Sequence, residues 1–134
     1  MLDYKTGGFW RDKWKGTFDG GRRLQHALYG LAAVELLKSQ YKNPKVTAGV
    51  YYFSSHKGRQ ERVMIPAPTP AAMRKVLGDL RDVILKGQFI RTPDQDDCTF
   101  CDYAAVCGGD VNRQAKEKLT DSSLTAYGRL TAHD

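Results

Sequence analysis

The sequence lacks a long apolar run, a secretory leader and an internal repeat. No apolar stretch approaches the roughly 20 residues that span a bilayer, and Asp3 and Lys5 fall where a secretory signal would be apolar. We therefore expect no membrane partner and a cytoplasmic location. At 134 residues the chain is long enough to bury one domain core, and a second independent core is not expected.

Cysteine is scarce, and its placement is informative. The only three are Cys98, Cys101 and Cys107, spaced C-x2-C-x5-C. An odd number leaves any disulfide scheme with an unpaired thiol, and in a chain without an export signal this clustering favours metal or cluster ligation. The alternative is a pair of structural thiols and an accidental third.

Basic residues outnumber acidic ones, 21 to 15, for a net charge of +6. Such a balance favours a polyanionic partner, because Lys and Arg neutralise phosphates and release counterions. An aromatic and basic loop follows the first residues and can stack on unpaired bases while its cations follow the backbone. The alternative is that both tryptophans cover core surface. The candidate DNA-binding residues are Trp10, Arg11, Lys13, Trp14, Lys15, Arg22 and Arg23.

Local patterns predict a mixed α/β fold with helices flanking a sheet. Residues 46–53 are apolar on both faces and rich in β-branched and aromatic side chains, as in a central strand. Thr69 followed by Pro70 predicts a helix start, and Gly87 its end. The full prediction is a strand stub at 1–5, a helix over 22–41, strands at 46–53 and 60–65, a helix over 70–87, and a short polar helix followed by a mobile tail after 110.

Two pairs of residues have side chains suited to phosphodiester hydrolysis. Asp3 and Lys5 alternate on a strand and so point to one face, where a carboxylate can hold Mg²⁺ or Mn²⁺ and an ammonium can orient water or steady phosphoryl charge. Gln25 and Tyr29 share a helix face and can reach a phosphate or a base. Taken alone, each pair is better explained without a catalytic role: Asp3 and Lys5 as a solvated strand end, and Gln25 and Tyr29 as a helix with Gln25 at its wet end and Tyr29 packed in the core with its hydroxyl at the rim.

The order of these motifs gives a family resemblance. Asp3-Tyr4-Lys5-Thr6-Gly7, then Gln25-x3-Tyr29, then the cysteine segment resemble the C-terminal nuclease domain of the RecB and AddB exonuclease family. That family is part of the PD-(D/E)xK superfamily, with a restriction-endonuclease-like core. The resemblance covers roughly residues 1–107.

The resemblance implies a role for each matched position. Asp3 and the backbone carbonyl of Tyr4 would ligate the metal, Lys5 would be the catalytic lysine, and Gln25 and Tyr29 would lie near the active site. Cys98, Cys101 and Cys107 would hold a [4Fe-4S] cluster together with a fourth, upstream cysteine.

The family's second metal-binding aspartate, its histidine and its first cluster cysteine all precede the matched segment. We therefore expect a fragment: residues 1–107 as the C-terminal half of the nuclease domain and 108–134 as a short helix and mobile tail. The isolated chain should be inactive, with zinc or no metal at the cysteines, where His26 or His56 would contribute only if the fold brought them close. The missing half or a helicase module are the expected protein partners.

Two rival functions stay open at this stage. One is a non-catalytic DNA-binding or accessory domain with a structural metal or cluster, and the other is a structural zinc-binding interaction module. Cleavage of single-stranded DNA ends would distinguish the nuclease from the DNA-binding domain. A brown colour of the purified protein, typical of an iron–sulfur cluster, would count against the zinc module.

Overall fold

The computed structural model describes all residues, 1–134, and has the expected mixed α/β fold. The chain divides into two compact units, residues 1–76 with 133–134 and residues 77–132. No helix combines the length and the hydropathy that a bilayer span requires. The strands are β1 (Leu2–Lys5), β2 (Ala48–Phe53) and β3 (Arg62–Pro66), and the helices are α1 (Gln25–Leu37), α2 (Pro70–Leu85), α3 (Ala104–Cys107), α4 (Val111–Lys118) and α5 (Thr125–Thr131).

The first unit contains a three-stranded mixed sheet in the order β1-β2-β3. β1 runs parallel to β2, with Asp3 opposite Tyr51, and β3 runs antiparallel to it. The central position of β2 agrees with its apolar character on both faces. Because side chains alternate across a strand, Asp3 and Lys5 lie on the same face of the sheet as Tyr51 and Phe53.

That inner face carries the core of the first unit. Tyr51, Phe53 and Ile65 are buried together, and α1 packs against β2 with His26 and Ala27 buried. The contact is close at Gly49, where a Cβ would lie 2.6 Å from the Cβ of His26. The residue at this point of β2 must therefore be a glycine for the helix to approach.

The opposite face of the sheet is open. Leu2, Tyr4 and Met64 are exposed there, and the Tyr4 ring makes an edge contact with Tyr52. The carbonyls of Met1 and Lys5 accept from β2 and from Ser54 just beyond it, so the backbone groups of Leu2 and Tyr4 face away from β2. β1 is thus an edge strand with an unpaired side.

Helix α1 is shorter than the sequence predicted, Gln25–Leu37 rather than 22–41. Its start is delayed because the N–H groups of Arg22 and Arg23 bond to the carbonyls of Asp19 and Phe18 in a preceding turn. That turn sets the direction in which the helix leaves the loop.

Helix α2 begins as predicted, with the Thr69 hydroxyl accepting from the N–H of Ala72 at 3.2 Å. Gly87, at φ +62°, follows its last turn in the left-handed conformation that glycine adopts readily. Thr69 and Gly87 thus act as the helix start and stop signals that the sequence indicated.

In the second unit, α2 and α5 are joined by polar contacts. Arg129 pairs with Asp79 at 2.7 Å and with Asp82 at 2.6 Å, while Gln88 accepts from the Tyr127 N–H and donates to the Ser123 carbonyl. The short polar helix expected after 110 is α4, and α5 follows it with Ala126 and Leu130 buried. The division of the chain at 107 and the mobility of its tail stay predictions.

Candidate functional site

The four residues expected at the active site form one continuous chain of contacts. Lys5 Nζ lies 2.8 Å from Asp3 Oδ2 and donates to Gln25 Oε1 at 2.7 Å. Gln25 Nε2 in turn donates to the Tyr29 hydroxyl at 3.0 Å. Lys5 offers only donors, so its contact fixes which end of the Gln25 amide faces it. β1 and the first turn of α1 thereby bring together residues that lie up to 26 positions apart.

Asp3 has one carboxylate oxygen that is buried and incompletely satisfied. Oδ2 is within ion-pair distance of Lys5, yet the contact does not have the angles of a hydrogen bond. A buried carboxylate oxygen without an aligned donor is well suited to accept a metal ion in place of the ammonium. Asp3 can therefore serve as one hard oxygen ligand.

The rest of a metal-ligand set is not provided by the structure. No group of three or more His, Cys, Asp or Glu side chains is arranged to hold a metal ion. Asp3 and the Tyr4 carbonyl thus fit Mg²⁺ or Mn²⁺ only in part, because such ions take about six ligands.

Tyr51 forms the floor of the site and was not identified from the sequence. Its ring lies 5.2 Å from Lys5 Nζ, and its hydroxyl accepts the backbone N–H of His26 at 3.1 Å. The only signal for its role is its inward position on β2 opposite Asp3, which depends on the strand register. Desolvation raises the pKa of Tyr51, so it stays a neutral phenol beside the lysine.

His26 lies beneath the site and is also buried. Its Nδ1 is 3.2 Å from the Tyr51 hydroxyl, whereas its Nε2 is buried without a partner. Burial first, and then the nearby Arg23 charge, lower the pKa of His26. The hydroxyl accepts from the His26 backbone and can either donate to Nδ1 or accept from it, so the contact is compatible with both neutral tautomers of His26.

The two tryptophans of the basic loop have different environments. Trp14 packs against Tyr51 and Phe53, with ring centroids 4.9 and 5.0 Å apart, and the Arg23 guanidinium lies 4.6 Å from its ring centroid. Trp10 is 64% exposed. Trp14 therefore covers core surface, and Trp10 is the one positioned to meet a base.

The cations of this loop differ in the same way. Arg23 is buried and donates to the carbonyls of Lys13, Lys15 and Gly16, so it organises the loop. Arg11 and Lys15 are exposed in loose ion pairs with Glu61 and Asp12.

An open cleft of about 380 Å³ runs between this loop and the sheet. Asp3 is not among the residues that line the cleft, and its Oδ2 is buried. The lining includes Lys5, Trp10, Lys13, Arg22, Gln25 and Tyr51. We call this depression the lysine cleft.

The cysteine segment lies in the second unit and is not arranged as a metal site. Cys98, Cys101 and Cys107 are free thiols, and the expected convergence on one point is absent. Cys98 Sγ accepts a hydrogen bond from Asn112 Nδ2 at 3.6 Å and donates to the Asp94 carbonyl at 4.0 Å. The short spacers make clustering inexpensive in loop entropy, but no favourable interaction joins the thiols when no ion is bound.

Comparison with known families decides the class of the protein. A sequence model of the PD-(D/E)XK nuclease superfamily matches residues 1–108, four-fifths of the chain. The chain belongs to the PD-(D/E)XK nuclease superfamily. Membership implies metal-dependent nuclease activity with DNA as the substrate. No curated protein and no solved structure shows a significant match to the chain.

Proposed function

We propose that this superfamily member contributes the Asp-Lys part of a metal-dependent DNA exonuclease site of the RecB and AddB type, with a role in DNA repair or recombination. The continuous contact from Asp3 through Lys5 and Gln25 to Tyr29 carries the proposal. These side chains come from two elements, and their arrangement matches the roles that the resemblance gives them.

The side chains have complementary tasks in this proposal. Gln25 holds the Lys5 ammonium at the wall of the lysine cleft, where it donates to a water or to a phosphoryl oxygen. Tyr29 fixes the Gln25 amide, and Tyr51 excludes water from beneath the lysine. A Mg²⁺ or Mn²⁺ ion on Asp3 and the Tyr4 carbonyl would polarise the scissile phosphate and lower the pKa of a bound water.

The open edge of β1 supports a role for a further segment. The backbone groups of Leu2 and Tyr4 face away from β2 and can pair with another strand. We propose that a further segment, from the N-terminal half that the resemblance implies or from a helicase-associated chain, adds a strand here and brings a second carboxylate towards Asp3.

For the cysteines we propose a [4Fe-4S] cluster only within the complete domain, and zinc or no metal in this chain. The present arrangement of the thiols does not fit a cluster, so no further step is assigned to one. We also propose a cytoplasmic location, because an odd number of clustered cysteines is more typical of metal or cluster ligation than of a disulfide framework.

Cleavage and metal binding by matched variants test the nuclease proposal. With labelled single-stranded DNA and Mn²⁺, the chain alone should cleave little or not at all. Any cleavage that is found should disappear in Lys5→Ala and persist in Lys42→Ala, which changes an exposed lysine outside the cleft. Mn²⁺ binding followed by electron paramagnetic resonance should be weak and should disappear in Asp3→Ala. Metal-dependent cleavage or Mn²⁺ binding that survives both Asp3→Ala and Lys5→Ala would place the site elsewhere.

A second candidate is a non-catalytic DNA-binding domain, favoured by the absence of a three-ligand metal group. Salt-dependent DNA binding with neither cleavage nor Mn²⁺ binding would favour this alternative.

A further inference from the structure

A second cleft adjoins the lysine cleft and shares a wall with it. It has a volume of about 600 Å³ and lies between the basic loop and the β2–β3 turn, lined by Gly8, Phe9, Trp10, His56, Lys57 and Arg59, with Gln60 beside them. We call it the turn cleft. Gly8 and Trp10 line both depressions, so the exposed Trp10 ring stands where one passes into the other.

The turn cleft is lined by basic side chains that form no ion pair. No acidic residue occurs between Phe53 and Glu61. Lys57 and Arg59 are exposed and take part in no ion pair, whereas Lys5 in the lysine cleft is paired with Asp3. Exposed cations without a carboxylate partner are available to phosphate oxygens.

The turn that carries these cations is firmly held. The Ser55 hydroxyl donates to the Gly7 carbonyl at 3.1 Å and accepts from the Gly58 N–H at 3.0 Å, which links the turn to the basic loop. Gly58 is packed so closely on Phe53 that a Cβ would meet the Phe53 Cβ at 2.6 Å. The cleft wall is therefore preorganised by contacts from both sides.

The backbone of the turn is also strained. Arg59 and Gln60 adopt φ values of +53° and +55°, in the left-handed region that non-glycine residues seldom occupy. Consecutive residues in this conformation persist only where the surroundings hold them, and such sites cluster at ligand-binding positions.

We propose that the turn cleft is a second subsite for single-stranded DNA, in which Lys57 and Arg59 bind phosphates of the strand while Trp10 stacks on a base between the two clefts. This inference rests on the proposed function, since it extends the substrate path from the lysine cleft. Aromatic rings beside a basic groove are the usual means of binding a single strand without reading its sequence.

Binding measured without metal separates this subsite from catalysis. Fluorescence anisotropy in EDTA would compare oligothymidylates of about 4 and about 16 nucleotides, a range set by known single-strand site sizes. The test variant is the double change Lys57→Gln with Arg59→Gln. The matched control is Lys42→Gln with Lys45→Gln, which removes the same charge from exposed positions outside both clefts.

The test variant should bind the long oligonucleotide about tenfold more weakly at low salt, with a salt slope reduced by about 1.4 for two lost phosphate contacts. Its affinity for the short oligonucleotide, and both affinities of the control, should change by less than about twofold. Circular dichroism melting would verify that both variants are folded.

Several outcomes would overturn the subsite. Among the variants, these outcomes are an equal loss of affinity in test and control, no loss of affinity in either, or a long-strand affinity that Trp10→Ala leaves unchanged. Among the DNA substrates, they are a loss of affinity in the test variant that is equal for short and long strands, or equal for blunt duplex DNA. The nuclease proposal fails by a different observation, metal-dependent cleavage or Mn²⁺ binding that is indifferent to Asp3 and Lys5. The subsite stands if the predicted binding pattern holds while cleavage is absent.

Discussion

The fold brings the residues of the nuclease motif into contact with one another but not those of the cysteine motif. The Asp3, Lys5, Gln25 and Tyr29 side chains are in mutual contact, whereas the three cysteines form no metal-binding group. The first set is positioned by a strand, a helix and a buried floor. The second lies in a segment of turns and the one-turn helix α3, and large apolar residues of this segment are exposed, Phe100 at 96% and Val106 at 84%.

The difference indicates what each motif depends on. Contacts in the lysine site are supported by Tyr51 and Trp14, which are packed regardless of any ligand. In the cysteine segment, Arg91 donates to the Cys107 carbonyl and Asn112 to the Thr92 carbonyl, so the backbone is anchored while the three thiols are not joined to one another. Metal binding and local folding are coupled where the ligand itself supplies the missing interactions.

The largest expected effect is on stability, from Tyr51→Ala. This change removes a side chain that is 2% exposed and contacts Trp14, His26 and Lys5, and it should lower the free energy of unfolding by about 3–5 kcal/mol. The matched control is Phe100→Ala in the cysteine segment, expected within about 0.5 kcal/mol of the parent. Urea unfolding measures both. Equal losses would show that the cysteine segment is as firmly packed as the lysine site.

The sequence predicted the parts of the fold that local patterns control. The two-sided apolar run 46–53 became the central strand β2, and Thr69 and Gly87 delimit α2 as expected. Strand alternation of Asp3 and Lys5, the helical spacing of Gln25 and Tyr29, and the order of the two motifs indicated the four residues that lie in contact; their catalytic roles stay predictions.

What the sequence could not provide depends on long-range register and packing. Nothing local indicates that Tyr51 lies opposite Asp3, or that Trp14 is packed while Trp10, four residues earlier, is exposed. The delayed start of α1 likewise results from a turn closed by Phe18 and Asp19. The C-x2-C-x5-C spacing suggested that the three thiols would lie together. Short spacers lower the entropy cost of bringing the thiols together, but they supply no attraction between them.

A smaller effect concerns the acid sensitivity of the floor beneath the lysine site. The pKa of His26 is lowered in the folded protein, so the unfolded chain takes up a proton first as pH falls below about 6.5. The stability contributed by neutral His26 is thus fully present above that pH and is lost progressively below it, down to the folded pKa.

Urea unfolding at pH 7.5 and pH 5.5 should therefore show a decrease that is reduced in His26→Gln, which cannot titrate. His56→Gln is the control, because His56 is exposed and should leave the decrease unchanged. A decrease of the same size in His26→Gln as in the parent would assign the acid sensitivity to other groups.

The smallest effect is expected from the cysteines when no metal is bound. Replacing Cys98, Cys101 and Cys107 together by Ser should change the unfolding free energy by less than about 1 kcal/mol, because no disulfide or metal group joins them and Cys101 is exposed. Thiol titration of the anaerobically purified parent should find three reactive groups after unfolding, and iron and sulfide analysis should find far less than the roughly four of each in a cubane. A stoichiometric, air-stable cluster together with a large stability loss in the triple variant would show that a fourth ligand reaches the segment. The contrast between the two motifs would then disappear, because the bound cluster would hold the cysteines together as firmly as packing holds the lysine site.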